Sequence, residues 1–270
     1  MDYKKIALFS DLDGTLFNSR TAVPEKNREA ITRFVNGGGL FGISTGRGHK
    51  NAAPYLTEVK INGPSIVYNG SAIYSYDQKK ILKKHALPTN QVREFLRMIM
   101  DCFPQLNVQV YPPEGDIWFV SPSLVAVPDF LESHRPYQFT SLDKAKGPWL
   151  KSLIMGNKKD LNQVYALGKS YMEEYIDFVF SSNNYLELLP RGINKGSALR
   201  EAAHFPEVKD RIIVTIGDFY NDLELLKEAD ISVAPNNAVK EVKDLAKYLV
   251  CSNNKGAVAE LIDYILPQIK

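Results

Sequence analysis

The chain has 270 residues, room for one or two domains with a sizeable core; 44% are hydrophobic and 24% charged, the balance of an ordinary globular protein. A formal net charge of +2 gives no footing for a nucleic acid or a membrane surface as partner. Only two cysteines are present, Cys102 and Cys251, far apart, which argues against a disulfide framework and for a reducing cytoplasm.

No apolar run is long enough for a signal-peptide core or a membrane-spanning helix. Residues 5–10 predict a buried strand. The stretch "PEKNREAITRFVNGGG" (24–39) predicts a helix, with proline in its first turn and glycines past its end. "LFGIST" (40–45) is again strand, followed by Gly46-Arg47 and a helix to about Leu56. "SIVYNG" and "SAIYSY" are apolar runs parted by Asn69-Gly70, a short hairpin signal. Strand, helix and strand in this order predict a parallel sheet with helical crossovers.

From 83 to 184 the order changes. A helix (89–103) precedes two strands (106–111 and 117–121) and a Pro-rich irregular part. Then come a strand (149–156), a helix (160–175) and a strand (176–181). Regular alternation returns with helix 195–204, strand 211–217, helix 221–228, strand 231–234, helix 238–247, strand 248–252 and helix 256–266. The expected architecture is α/β: a doubly wound, mainly parallel, Rossmann-like core of residues 1–82 and 185–270, split by an inserted α+β domain at 83–184.

In an open α/β sheet, ligands bind beyond the carboxyl ends of the strands. Three strand ends here share one chemical theme. The first carries Asp11 and Asp13 in "SDLDGTL", the second Ser44 to Arg47 in "STGR", a later one Gly217 to Asp222 in "GDFYND". "RGINKGSA" adds Lys195. Four carboxylates at one edge repel and raise one another's pKa. A hard divalent cation such as Mg²⁺, which prefers oxygen ligands and shares its coordination sphere with phosphate oxygens, removes that problem. Thr45 and nearby N–H groups at a helix start suit a phosphoryl group, and Lys195 offsets its remaining charge. Singly, these fragments read as a plain turn, a helix entry, a capped loop and a solvated lysine. Their joint order at successive strand ends is what points to phosphate chemistry.

In order, "DLDGT", "STGR", "NKG" and "GDFYND" resemble the four motifs of the haloacid dehalogenase superfamily of phosphohydrolases. The insert between the second and third resembles the α/β cap of the Cof-type, class IIB-like branch. "YNG" (68–70), "ELLPRGINKG" (187–196) and "SNNKGAVAEL" match that branch too, so the resemblance covers nearly the whole chain. It implies a Mg²⁺-dependent phosphatase of a small phosphorylated metabolite, such as a sugar phosphate. Asp11 would be the nucleophile that becomes an aspartyl-phosphate; Asp13 would protonate the leaving alkoxide and then activate water. Leu12, Thr45, the Gly46 N–H, Lys195 and Asn221 would contact the phosphoryl group. Asp11, Asp218 and the carbonyl of Asp13 would hold Mg²⁺, with Asp222 orienting Lys195. Arg47 reads equally as a substrate or cap contact and as a surface charge.

Competing readings are a phosphomutase using the same intermediate, a non-catalytic phosphometabolite-binding regulator, and a receiver domain phosphorylated on Asp. The Asp11/Asp13 pair argues against pure binding, and the large insert against a receiver. His49, His85, His134 and His204 lack the spacing of a zinc site, and Gly37-Gly38-Gly39 precedes a strand, the wrong order for a dinucleotide loop. Tyr111, Trp118 and Phe119 are expected in the core, with substrate contact as the alternative, and both cysteines as small apolar fillers.

Overall fold

A computed structural model describes residues 2–121, 123 and 137–268. Its strands in chain order are β1 (Ile6–Ser10), β2 (Leu40–Ile43), β3 (Ser65–Val67), β4 (Ala72–Ser75), β5 (Lys80–Lys84), β6 (Asn107–Tyr111) and β7 (Ile117–Phe119). These are followed by β8 (Tyr137–Phe139), β9 (Lys151–Met155), β10 (Ile176–Ser182), β11 (Tyr185–Pro190), β12 (Ile212–Ile216), β13 (Ile231–Pro235) and β14 (Tyr248–Val250). The chain divides into two compact units: residues up to Arg47 with Ala52–Lys83 and everything from Asn194 on, and Gly48–Asn51 with Lys84–Ile193.

The first unit is built on a parallel sheet in the order β14-β13-β12-β1-β2. Strand β1 lies between β12 and β2, with Ala7 level with Ile213 and Leu40. All five of its residues are buried. Alternate side chains serve opposite faces: Ile6 and Leu8 join Ile31 and Phe34 of the helix Glu25–Asn36, while Ala7 and Phe9 join Leu199 and Leu226. Burial on both faces is why the strand reads as a continuous apolar run, and it is the doubly wound α/β arrangement that the sequence predicts. The hairpin predicted at Asn69-Gly70 forms between β3 and β4, and Ser44 bridges Ile66 in parallel, which ties it to the end of β2. Strand β5, a lysine-rich edge, has no such signal in the sequence.

The second unit holds a six-stranded sheet, β10-β11-β9-β6-β7-β8, in which only β7 and β8 pair in parallel. The helix Thr89–Cys102 spaces Val92, Phe95, Leu96 and Ile99 along one stripe. These pack with Leu161 and Val164 of the helix Lys158–Tyr171 against Val108, Val110, Ile154, Leu186 and Leu188. The alternate positions, Asn107, Gln109 and Tyr111 on β6, Lys151 on β9 and Glu187 on β11, belong to the opposite face and are also buried.

Strand β11 corrects the predicted return at residue 185. It pairs with β9 and β10, and Leu186 and Leu188 sit in the core of the second unit, so the chain rejoins the first unit at Asn194. Cys102 is exposed and Cys251 half-buried, both as free thiols, so Cys102 is not the buried filler expected. Tyr111 and Phe119 are buried and Trp118 is packed half-buried against the core. Most of the Pro-rich part, with His134, lies outside the described residues. Among those described, no helix is long and apolar enough to cross a membrane.

Candidate active site

The ladder of β1 runs one residue past the strand, because the Asp11 N–H donates to the Ile216 carbonyl (2.9 Å). The chain then coils tightly: Leu16 N–H returns to the Asp11 carbonyl and Phe17 N–H to that of Leu12, with Gly14 at φ +82°, a conformation glycine adopts freely. The loop after β2 is pinned on both sides, by Ser44 N–H on the Ser10 carbonyl (2.8 Å) and Thr45 N–H on the Ile66 carbonyl (2.9 Å). Lys195 opens the helix Lys195–Ala202, whose start is fixed by reciprocal bonds between Asn194 and Ser197.

These ends meet at Lys195. Its fully buried ammonium donates to Asp11 Oδ1 and to Asp222 Oδ1, both at 2.6 Å. Asp222 is buried as well, and its Oδ2 accepts the N–H groups of Asp218 (3.0 Å) and Phe219 (3.2 Å). Both of its oxygens are therefore engaged. Asp218 accepts from the Thr15 hydroxyl at 2.8 Å. Thr45 is buried, and its hydroxyl oxygen accepts the Arg47 N–H (3.1 Å).

Burial drives the electrostatics. It pushes the Asp11 carboxyl well above its ordinary range; the Lys195 ammonium opposes this, while Asp222, Asp218 and Asp13 add to it. Asp218 is raised to about 7, by burial first and the Asp222 charge second. Burial alone would lower Lys195, yet Asp11 and Asp222 hold it above its ordinary value, so it stays charged. With all four carboxylates ionised, as a bound cation would favour, Lys195 and Arg47 would leave two negative charges in excess. Asp11, Asp218 and Asp222 can each bring an oxygen within 4.8 Å of the others. An all-oxygen, doubly negative cluster fits a hard divalent cation such as Mg²⁺. Since Asp222 is engaged through both oxygens, Asp11 and Asp218 are the side chains suited to hold one.

The predicted residues fall into place unevenly. Asp11, Asp218, Asp222 and Lys195 form one hydrogen-bonded cluster. Thr45, Gly46 and Asn221 meet around Asn69, whose N–H donates to the Thr45 carbonyl, whose oxygen accepts from the Asn221 amide and whose side chain lies against Gly46. The Leu12 side chain lies in the apolar core, so only its backbone is left for a phosphate role. Asp13 is half-exposed and is gripped by Arg47 through two bonds, Nε to Oδ2 (2.7 Å) and Nη2 to Oδ1 (2.6 Å). The guanidinium also stacks near the rings of Tyr55 (5.0 Å) and Phe17 (5.6 Å). Arg47 is thus the partner of Asp13, an arrangement the sequence did not indicate. Thr15, the last residue of "DLDGT", holds Asp218 through its hydroxyl, a role the motif alone does not indicate. Asn237, whose side chain donates to the Gly14 carbonyl (2.8 Å), gave no signal.

The model of the haloacid dehalogenase-like hydrolases matches residues 8–262, and the chain belongs to this family. Its enzyme class is that of the phosphoric monoester hydrolases. It is similar to a 5-amino-6-(5-phospho-D-ribitylamino)uracil phosphatase of Bacillus subtilis, at 28% identity over 95% of this chain and 96% of that protein. An HMP-PP phosphatase of Yersinia enterocolitica is also 28% identical, over 88% of this chain and 86% of its own. Among solved structures, a haloacid dehalogenase-like hydrolase from Bacteroides thetaiotaomicron superposes with a TM-score of 0.87 at 28% identity, covering 96% of this chain and 98% of that one.

Proposed function

We propose that the chain is a Mg²⁺-dependent phosphatase of a small phosphorylated metabolite, a sugar phosphate or similar phosphomonoester, acting through an aspartyl-phosphate on Asp11. The observation that carries this reading is the buried Lys195 ammonium shared between Asp11 and Asp222. It points at Asp11 Oδ1 and opposes the rise that burial imposes on that carboxyl, so it favours the ionised, fixed form a nucleophilic Asp needs.

Asp11 attacks phosphorus, and the bond from phosphorus to the ester oxygen breaks. Asp13 gives its proton to the leaving oxygen. Water then attacks the phosphorus of the aspartyl-phosphate, losing a proton to Asp13, and inorganic phosphate leaves as the Asp11 carboxylate is restored. Arg47 holds both oxygens of Asp13, so one of these contacts must give way when Asp13 carries a proton. The Leu12 backbone, Thr45, the Gly46 N–H and Asn221 bind the phosphoryl oxygens. Asp11, Asp218 and the Asp13 carbonyl would hold Mg²⁺, which when bound supplies charge neutralisation and orientation.

We assign the chemistry to the first unit and substrate choice to the insert. The buried polar face of the insert supports this: Lys151 donates to Glu187 (2.9 Å), and the Tyr111 hydroxyl donates to Gln109 (2.7 Å), a set of groups suited to a polyhydroxyl or heterocyclic substrate. The free, separated thiols support a reducing, cytoplasmic setting. Relatives named as phosphatases of phosphorylated metabolites support the substrate class. The test is a panel of phosphorylated metabolites offered to the purified protein, with Mg²⁺ and with chelator. Phosphate release from some of them in Mg²⁺ and none in chelator is expected; no release from any, or equal release in chelator, rejects the reading.

A further inference from the structure

The turn Tyr68–Gly70 joins β3 to β4 and has no part in the steps above. Its backbone departs from an ordinary hairpin turn. Tyr68 and Asn69 stand side by side at φ 54° and 53°, both buried, in the left-handed region that non-glycine residues seldom occupy. Unlike Asn or Asp, a tyrosine side chain cannot bond its own neighbouring backbone to ease that conformation, so the surrounding fold must hold it.

Several parts of the phosphate site depend on this turn. Tyr68 N–H donates to the Arg47 carbonyl (2.9 Å) and Asn69 N–H to the Thr45 carbonyl (3.0 Å), which fixes the loop after β2. The Asn69 side-chain oxygen accepts from the Asn221 amide (3.0 Å), which fixes the loop after β12. A Cβ on Gly46 would lie 3.0 Å from the Asn69 amide nitrogen and 3.1 Å from its oxygen, so the carboxamide lies directly against that glycine. Gly70, at φ +104°, approaches the Asn194 backbone so closely that a Cβ would lie 2.2 Å from its carbonyl oxygen, and Asn194 caps the helix opened by Lys195.

We infer that Asn69 is a positioning residue of the phosphate site: held left-handed in a strained turn, its carboxamide sets the Gly46 peptide and the Asn221 amide at the spacing a phosphoryl group requires. The inference rests on the phosphatase reading above. A turn that merely connected two strands would need neither the strain nor the side-chain bond to a loop 152 positions away.

Asn69→Gly tests it, because glycine keeps the left-handed backbone and removes only the carboxamide. With p-nitrophenyl phosphate as substrate, kcat/KM should fall about tenfold and the inhibition constant of inorganic phosphate should rise by a similar factor, the worth of about one hydrogen bond. The melting temperature should stay within a few degrees of wild type. Adding Asn69→Gly to Asn221→Ala should cost less than the sum of the two single losses, because part of the Asn69 effect runs through Asn221. Unchanged phosphate inhibition in Asn69→Gly, or fully additive losses in the double variant, overturns the inference. If Asn69→Gly does not fold, Asn69→Asp replaces it: it tolerates the turn and keeps the acceptor for Asn221, but its charge should weaken phosphate inhibition by about tenfold or more. Unchanged inhibition there overturns the inference equally. A wild-type protein with no turnover of any phosphomonoester would instead remove the phosphatase reading beneath it.

Discussion

Replacing Lys195 by methionine keeps an unbranched side chain and deletes the charge on which the site is built. The ammonium is fully buried, with Asp11 and Asp222 at 2.6 Å each. Removing one partner of a buried ion pair costs about 3–5 kcal/mol, because the other charge is left without compensation. At about 2–4 °C per kcal/mol for a chain of this size, the melting temperature should drop by roughly 6–20 °C. The sign of its pH dependence follows from Asp11. Burial already raises that carboxyl above its ordinary 3.8, and losing Lys195 raises it further. A carboxyl whose folded pKa is raised stabilises the native state at low pH, and that contribution is lost as pH climbs through the folded pKa. The deficit of Lys195→Met should therefore be largest near about pH 8 and shrink toward about pH 5. Calorimetry of both proteins in chelator, at the two pH values, measures it. A variant melting with wild type near pH 8, or a deficit indifferent to pH, would refute the electrostatic account of this lysine.

Three further outcomes are expected. Asp13→Ala should lose more activity on an alkyl phosphate than on p-nitrophenyl phosphate, whose leaving group needs little protonation; equal losses would leave Asp13 a structural role. Because Asp218 is raised to about 7, a Mg²⁺ ion held by it would have to displace a proton below that pH, so Mg²⁺ affinity measured by calorimetry should fall by up to about tenfold per unit below 7. An affinity flat from about pH 8 to about pH 6 would remove Asp218 as a ligand. Exchanging the insert for that of another family member should change which metabolites are hydrolysed while activity on p-nitrophenyl phosphate survives; a folded chimera with the original ranking would place selectivity in the first unit.

Much of the first unit is legible because burial on both faces writes strands as apolar runs, and because chemistry at strand ends demands residues that packing does not. Asp11 and Asp218, just past β1 and β12, stand out for that reason, and Lys195 stands out at a helix start. What escapes is structure held by partners distant in sequence. "YLELLP" reads as an approach to the lysine motif, yet Leu186 and Leu188 are claimed by the core of the insert, and no local signal decides between the two. β8 is three exposed residues on a sheet edge, and β5 is mostly lysine, so neither has an alternating pattern. The Arg47–Asp13 grip and the Asn69–Asn221 bond each join two motifs, and a motif names its own residues without naming their partners. Asn69 in particular carries a genuine hairpin signal, which hides its second task.

Phosphorylation of Asp11 during turnover can be caught by trapping the acyl-phosphate. Borohydride added during steady turnover reduces an aspartyl-phosphate to homoserine, which peptide mass spectrometry locates in the chain. Homoserine is expected at position 11, present only with Mg²⁺ and substrate together and absent from Asp11→Asn. Turnover that releases phosphate with Asp11 unmodified, or homoserine at another position, would contradict it.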